Sequence, residues 1–217
     1  MSPRTKDGPR AWQRMISGRR LDLIDPSPLD VEIGDIAHGL ARVARWNGQT
    51  VGAHAYSVAQ HTLLVEDIAA VTAPEIGATG RLAVMLHDAP EYVIGDLISP
   101  FKVLLGGDYK VVERRLLAAI HLRFGLPAVL AEKLTGKIKA ADRVAAYFEA
   151  VRLAGFSEAE ALRYFGRPGG LDGTKLDLEP WSASVAERRF LRRFTAIAKA
   201  AAKETKKAGV TWRSPTP

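Results

Sequence analysis

The chain has 217 residues, 47% of them hydrophobic, no cysteine, and a formal net charge of +7 at neutral pH. That length fits one domain, which would bury roughly 70% of its unfolded surface. The lack of cysteine excludes a disulfide framework and a thiolate zinc site, so any metal must rest on histidine and carboxylate ligands. The charge is unevenly placed: residues 188–217 hold nine Lys or Arg against one Glu, a net +8, so the first 187 residues carry −1. With little aromatic interleaving, this basic end reads as the solvated face of an amphipathic helix, peripheral to the rest of the chain, and nucleic acid is not an expected partner. The start, MSPRTKDGPRAWQR, lacks a signal-peptide apolar core, and no apolar run approaches the roughly 18 residues of a membrane span. A soluble, cytoplasmic protein with no membrane partner is expected.

In chain order, Pro9 to Ser17 reads as a short helix with Gly18 just beyond it. LDLIDPSPLDVE follows as a connecting segment, so residues 1–34 form a leader expected to pack on the core. From Asp35 as N-cap, Ile36, Ala37, Leu40, Val43 and Ala44 fall at helical spacing and predict a helix directly before Arg45-Trp46. Asn47-Gly48 then turns the chain. Ser57 with Gln60 is a capping-box pattern, and Leu64, Val65 and Ile68 continue that helix's apolar stripe, placing His61 in about the first turn. Residues 78–88 predict a helix with His87-Asp88 at its C-terminal end, since Pro90 disfavours continuation. Asp108 to Phe124, closed by Gly125, and Lys137 to Leu153, closed by Gly155, are further helices. Ser157 and Glu160 form another capping-box pattern opening SEAEALRYFG; RPGGLDGTKLDLEPW is the most loop-like stretch, and the final helix starts near Ser184. Nothing alternates as a strand does, so the expected fold is all-α, compact and single-domain.

Four side chains in these helical stretches stand out: His61, His87, Asp88 and Asp142. Two imidazoles and two carboxylates offer mixed ligation for one divalent ion, with positions left for water and substrate. Adjacent helical positions differ by about 100°, so His87 and Asp88 can straddle an ion beside the helix. Asp142 falls on a stripe with Val144, Ala145 and Phe148, where a buried carboxylate is costly without a positive partner. Cobalt, manganese, iron, zinc and nickel all suit such a donor set. His38, His54 and His121 have no motif around them and read as structural or exposed.

The segments SVAQHTLLV (57–65), MLHDAPEYVIGDLISPFK (85–102) and IKAADRVAAYFEAVR (138–152), in this order, resemble the HD-domain metal-dependent phosphohydrolases, specifically their small 5'-deoxynucleotidase-like branch. The resemblance covers roughly residues 36–155. It implies a helical phosphohydrolase core over 35–165, with the loop and basic helix of 166–217 belonging to the same domain. It also implies one divalent metal on His61, His87, Asp88 and Asp142, with Asp88 and Glu91 as catalytic residues and Glu91 handling the water or leaving-group proton. Arg45, Trp46, Asp96 and Lys102 are the expected substrate contacts: Asp96 to a sugar hydroxyl, the two cations to phosphate, Trp46 stacking on base or sugar or serving as packing. The activity implied is hydrolysis of 5'-deoxynucleoside monophosphates by metal-activated water. A deoxynucleoside triphosphate triphosphohydrolase and a non-catalytic, metal-stabilised nucleotide-binding module are the alternatives. The partners admitted are a small nucleotide and a second copy of the chain in a homodimer. Two departures stand out: Gln60 replaces the Glu that better-known bacterial relatives carry before the first ligand, and an N-terminal extension of about thirty residues brings Arg19 and Arg20, which could reach further phosphates.

Overall fold

The computed structural model describes residues 10–105 and 107–207. An antiparallel hairpin of β1 (Trp12–Arg14) and β2 (Arg20–Asp22) precedes α1 (Ile33–Leu40), α2 (Val58–Thr72), α3 (Gly77–Met85), α4 (Glu91–Ile94) and α5 (Ser99–Leu105). After these come α6 (Asp108–Arg123), α7 (Glu132–Arg152), α8 (Glu158–Phe165) and α9 (Ala183–Lys207). The fold is all-α, as the sequence predicts, apart from that hairpin.

Helix α2 runs through the middle. Every residue from Val58 to Glu66 is buried, so the helix has no solvent face over its first nine positions and needs cover on all sides. Helices α3, α7 and α9 supply it, and one apolar core extends from Leu21 to Ala201. Ser57 caps α2 by accepting from the Gln60 amide at 3.2 Å. The reciprocal half of the capping box is missing, because the Gln60 side chain leaves its own helix. Its amide nitrogen donates to the Glu179 carbonyl at 2.7 Å, and its oxygen accepts from the Trp181 backbone at 3.0 Å. Gln60 thereby fixes the approach to α9, a task a carboxylate, having no donor, could not perform.

Several expectations need correction. The predicted helix over Pro9 to Ser17 is instead the β1–β2 hairpin in its described part, with Gly18 in the turn. Arg20 reaches across to lie 4.6 Å over the Trp12 ring, and Leu21 is sealed into the core, so pairing wins over a helical pattern too short to decide. Asp35 is not an N-cap. It sits in the first turn of α1, whose N-cap is Glu32, and accepts from the backbone and hydroxyl of Ser17 at 2.9 and 2.6 Å, tying leader to helix. Helix α1 ends at Leu40, and α7 begins at Glu132, running through Gly136. Helix α5 was not foreseen. Residues 1–9 of the leader and 208–217 of the basic tail lie outside the described residues.

The basic C-terminal helix is not peripheral. Ala186, Phe190, Phe194, Ile197 and Ala201 recur at three- and four-residue spacing along α9 and are buried against α1, α2 and α3, while Arg188, Arg189, Arg192, Lys199 and Lys203 keep the charge in solvent. Below this apolar seam Glu66 of α2, fully buried, pairs with Arg81 of α3 and Arg193 of α9, and Arg193 also reaches Asp67 at 2.7 Å. Replacing Phe190 by Ala should therefore cost about 3–5 kcal/mol in a denaturant melt. Ending the chain after Arg193, which removes the rest of the seam, should abolish cooperative unfolding. A truncated chain that unfolds as sharply as the full one would contradict this packing.

Candidate metal centre and substrate cavity

The four candidate ligands arrive from three places. His61 is in the first turn of α2; His87 and Asp88 lie in the turn just after α3; Asp142 is midway along α7. The structure brings them together. His61 Nε2 lies 3.4 Å from Asp88 Oδ2 and 3.2 Å from Asp142 Oδ1, and His87 Nε2 lies 3.2 Å from Asp88 Oδ2. His61, His87 and Asp88 form a group that could hold a metal ion, with one donor atom from each lying within 4.8 Å of the others. Asp142 joins it through His61.

The tautomers point the same way. His87 Nδ1 lies 2.7 Å from the Val84 carbonyl, which can only accept, so Nδ1 carries the hydrogen. His61 Nδ1 lies 2.5 Å from Glu149 Oε1 and donates to that carboxylate. Both Nε2 atoms are buried and make no hydrogen bond, although carboxylate oxygens lie beside them. In the neutral ring each Nε2 presents a lone pair toward a carboxylate lone pair, an arrangement that requires a cation between them. A proton can fill that role in part: burial opposes the charged imidazolium, but Glu149, Asp142 and Asp88 outweigh it and raise His61 well above its ordinary value. Burial also opposes charge on Asp88, yet His87 and His61 hold its carboxyl well below the usual range, and Asp142 is lowered through His61 in the same way. The donor set therefore fits a divalent ion in place of the proton.

Glu149 was missed by the sequence reading, yet it organises the site. It is fully buried on α7; besides His61 it accepts from Trp46 Nε1 at 3.0 Å and Arg45 Nε at 3.4 Å. Burial would raise its carboxyl, but His61 and Arg45 bring it down to about 2. The signal was available: an acid in the apolar run AAYFEAV, seven residues, or two turns, beyond Asp142 and so on the same helical face.

Arg45 and Trp46 occupy a short 3-10 turn, Arg45–Gly48, in which Trp46 (φ 57°) and Asn47 (φ 51°) are left-handed. Such residues cost about 1–3 kcal/mol each and persist only where their surroundings fix them. Here the Glu149 bond and ring contacts from Trp46 to Phe156 (5.6 Å) and Phe165 (5.8 Å) do so. Trp46 is thus a packed wall element. Arg45 donates to Asp96 Oδ2 at 3.1 Å, and Asp96 follows Gly95, whose φ of 76° bends the chain out of α4. Glu91, at the start of α4, is positioned by the close approach of α1: a Cβ on Gly39 would come 2.8 Å from Tyr92 Cβ. Glu91 is almost fully buried, with Oε2 lacking any partner and Lys102 3.8 Å from Oε1. Burial first, then Asp88 and Asp96, push its carboxyl up to about 9.

Asp88, Asp142, Glu91, Asp96, Arg45, Trp46 and Lys102 all line one cavity of about 870 Å³, with His61 and His87 set behind the two aspartates. Arg19 and Arg20 are not among its lining residues: Arg19 pairs with Glu32 at 2.9 Å and Arg20 lies over Trp12. His38 pairs with Glu187, His54 is exposed, and His121 is buried in α6, all outside the cavity lining. Among the described residues no helix is long and apolar enough to cross a membrane.

Fold and site together define a helical protein with an imidazole–carboxylate group fit for a metal, opening into a ligand-sized cavity. No protein-family model matches the chain. A protein of Rhodobacter capsulatus described as uncharacterized is 64% identical over 159 residues, covering 73% of this chain and 81% of that protein, and the chain belongs to its family. It is also 36% identical over 101 residues to the uncharacterized protein YfdR of Escherichia coli K12, covering 46% of this chain and 51% of YfdR.

The purified protein should carry a divalent ion that Asp88→Ala or Asp142→Ala largely removes, read by elemental analysis. Glu149→Gln keeps an acceptor for His61 but loses the charge, and should weaken metal affinity about 10- to 100-fold in a chelator competition. Unchanged affinity would confine Glu149 to holding Arg45 and Trp46.

Proposed function

We propose that the protein is a metal-dependent phosphohydrolase that cleaves the phosphate ester of 5'-deoxynucleoside monophosphates, with His61, His87, Asp88 and Asp142 as the metal ligands. The observation that carries this reading is the pair of buried, unbonded Nε2 atoms turned toward carboxylates at the base of a cavity lined by Lys102, Arg45 and Glu91. A divalent ion so held supplies Lewis acidity toward a phosphoryl oxygen and acidifies water.

The chain's own groups account for the rest. Lys102, on α5, lines the cavity with its Nζ 3.8 Å from Glu91 Oε1, and it neutralises phosphoryl charge. Arg45 is already shared between Glu149 and Asp96, so it chiefly orients Asp96, whose carboxylate accepts from a sugar hydroxyl. Hydrolysis forms a bond from water oxygen to phosphorus and breaks the bond to the ester oxygen, which needs a proton as it leaves. Glu91 holds one at neutral pH, and its unpartnered Oε2 is free to give it. A purely binding module would have little use for such a group. The triphosphate alternative calls for further cations, and the pairing of Arg19 and Arg20 elsewhere favours the monophosphate.

The test is incubation of purified protein with nucleoside mono- and triphosphates under several divalent metals, with the phosphate product identified by ion chromatography. Orthophosphate from monophosphates is the expected result; inorganic triphosphate would shift the reading to the alternative, and no product from any nucleotide would leave a binding module. Glu91→Gln should lower kcat by about 10²- to 10⁴-fold with metal retained and substrate affinity little changed. Near-normal kcat in that variant would make Glu91 a bystander.

A further inference from the structure

The cavity is far larger than a phosphate requires, and it falls within the range of about 300–1,000 Å³ of small-molecule sites. Its lining changes character along a row of rings. Trp46 begins the row beside Glu149, with its indole N–H committed to that carboxylate and its ring packed on Phe156 and Phe165. From there the contacts pass from Phe156 to Tyr164 at 6.4 Å and from Phe165 to Tyr164 at 6.5 Å. All four rings line the cavity, and Tyr164 stands farthest along this series of contacts from Glu149.

Tyr164 is the end of that row. Both ring neighbours meet it at steep angles, 90° and 62°, which holds its orientation without stacking on it. The Arg163 guanidinium lies 5.7 Å over the ring. Even so, Tyr164 remains 62% exposed, while Ala161, one turn earlier, anchors α8 in the core. The remaining apolar lining, Leu97, Ile98, Pro100, Ala146 and Ala154, offers no side-chain hydrogen-bonding group. A ligand with a charged end and a flat, largely apolar end matches this division.

We infer that the wall of Phe156 and Tyr164 is the subsite for the planar base of a nucleotide whose phosphate lies toward Lys102, with Tyr164 the ring on which the base stacks. This rests on the phosphohydrolase reading only for the phosphate end. Trp46, the stacking candidate in the sequence, is used up in packing, and Tyr164 takes that role.

Binding is measured by calorimetry on the full chain carrying Glu91→Gln, with manganese present, using deoxyadenosine monophosphate and base-less 2-deoxyribose 5-phosphate as paired probes. The nucleotide should bind more tightly than the sugar phosphate. Adding Tyr164→Ala should shrink that advantage by about 5- to 100-fold, the range expected for one stacked base. Tyr164→Phe should keep it. The exposure of Tyr164 makes both variants safe for the fold. An advantage that survives Tyr164→Ala, an equal loss for both probes, or no advantage in the parent chain would each overturn the subsite. Turnover of nucleotides without dependence on Tyr164 would remove the subsite and leave the phosphohydrolase. Tyr164-dependent nucleotide binding in a wild-type chain that hydrolyses nothing would do the reverse.

Discussion

A histidine sealed from water can aim a lone pair only if something else holds its other nitrogen, and in this protein Glu149 does that for His61. The contact links two helices that pack along each other, α2 and α7, and it settles several matters at once. It fixes the imidazole tautomer, it sets Nε2 against the Asp88 and Asp142 oxygens, and through its second oxygen it restrains the left-handed turn carrying Arg45 and Trp46. A buried carboxylate without such partners would be strongly unfavourable. With them it stays ionised, and the imidazole–carboxylate group and the Arg45–Trp46 wall of the cavity share one support.

That sharing explains why the charges of the site balance as they do. Arg45 sits between Glu149 and Asp96, so its cation is largely spent inside the protein. Lys102, a third exposed, keeps more of its charge for whatever enters. Glu91 has an oxygen with no partner and a carboxyl pushed up by burial and two neighbouring aspartates, whereas the imidazoles beside Asp88 hold its carboxyl down. Two carboxylates three residues apart are thus pushed in opposite directions by what each one faces.

Much of this was legible in the sequence, and the reasons differ by residue. Ser57 and the Ser157–Glu160 pair announce helix starts because a side-chain oxygen must satisfy a free backbone N–H, and both caps are present. The metal-site candidates could be read because few other structures call for that many imidazoles and acids on apolar helices. Helix α7 could not be started correctly: its N-cap, Ala131, makes no side-chain bond, and Gly136 looks like a breaker although a packed helix tolerates it at about 1 kcal/mol. Asp35 looked like a cap because its partner, Ser17, lies in another segment. Glu149 lay hidden in an apolar run for the same reason: its meaning depends on partners 88 and 103 residues away. The charge of α9 was read correctly, but its burial was not, since the count of Lys and Arg says nothing about the opposite face.

The tether of α2 to late parts of the chain has a consequence for how the protein is made. Gln60 waits for a partner 119 residues later, and Glu66 for Arg193, 127 residues later. At the usual pace of synthesis, about 5–20 residues per second, α2 leaves the ribosome about 6–25 s before the helix that brings Glu66 its second arginine. Through that interval the Gln60 amide has only water to bond and Glu66 has only Arg81 of α3, so α2 lacks part of the cover its buried positions need. The candidate ligands on α2 and α7 therefore gain the full cover of the core only after α9 has emerged.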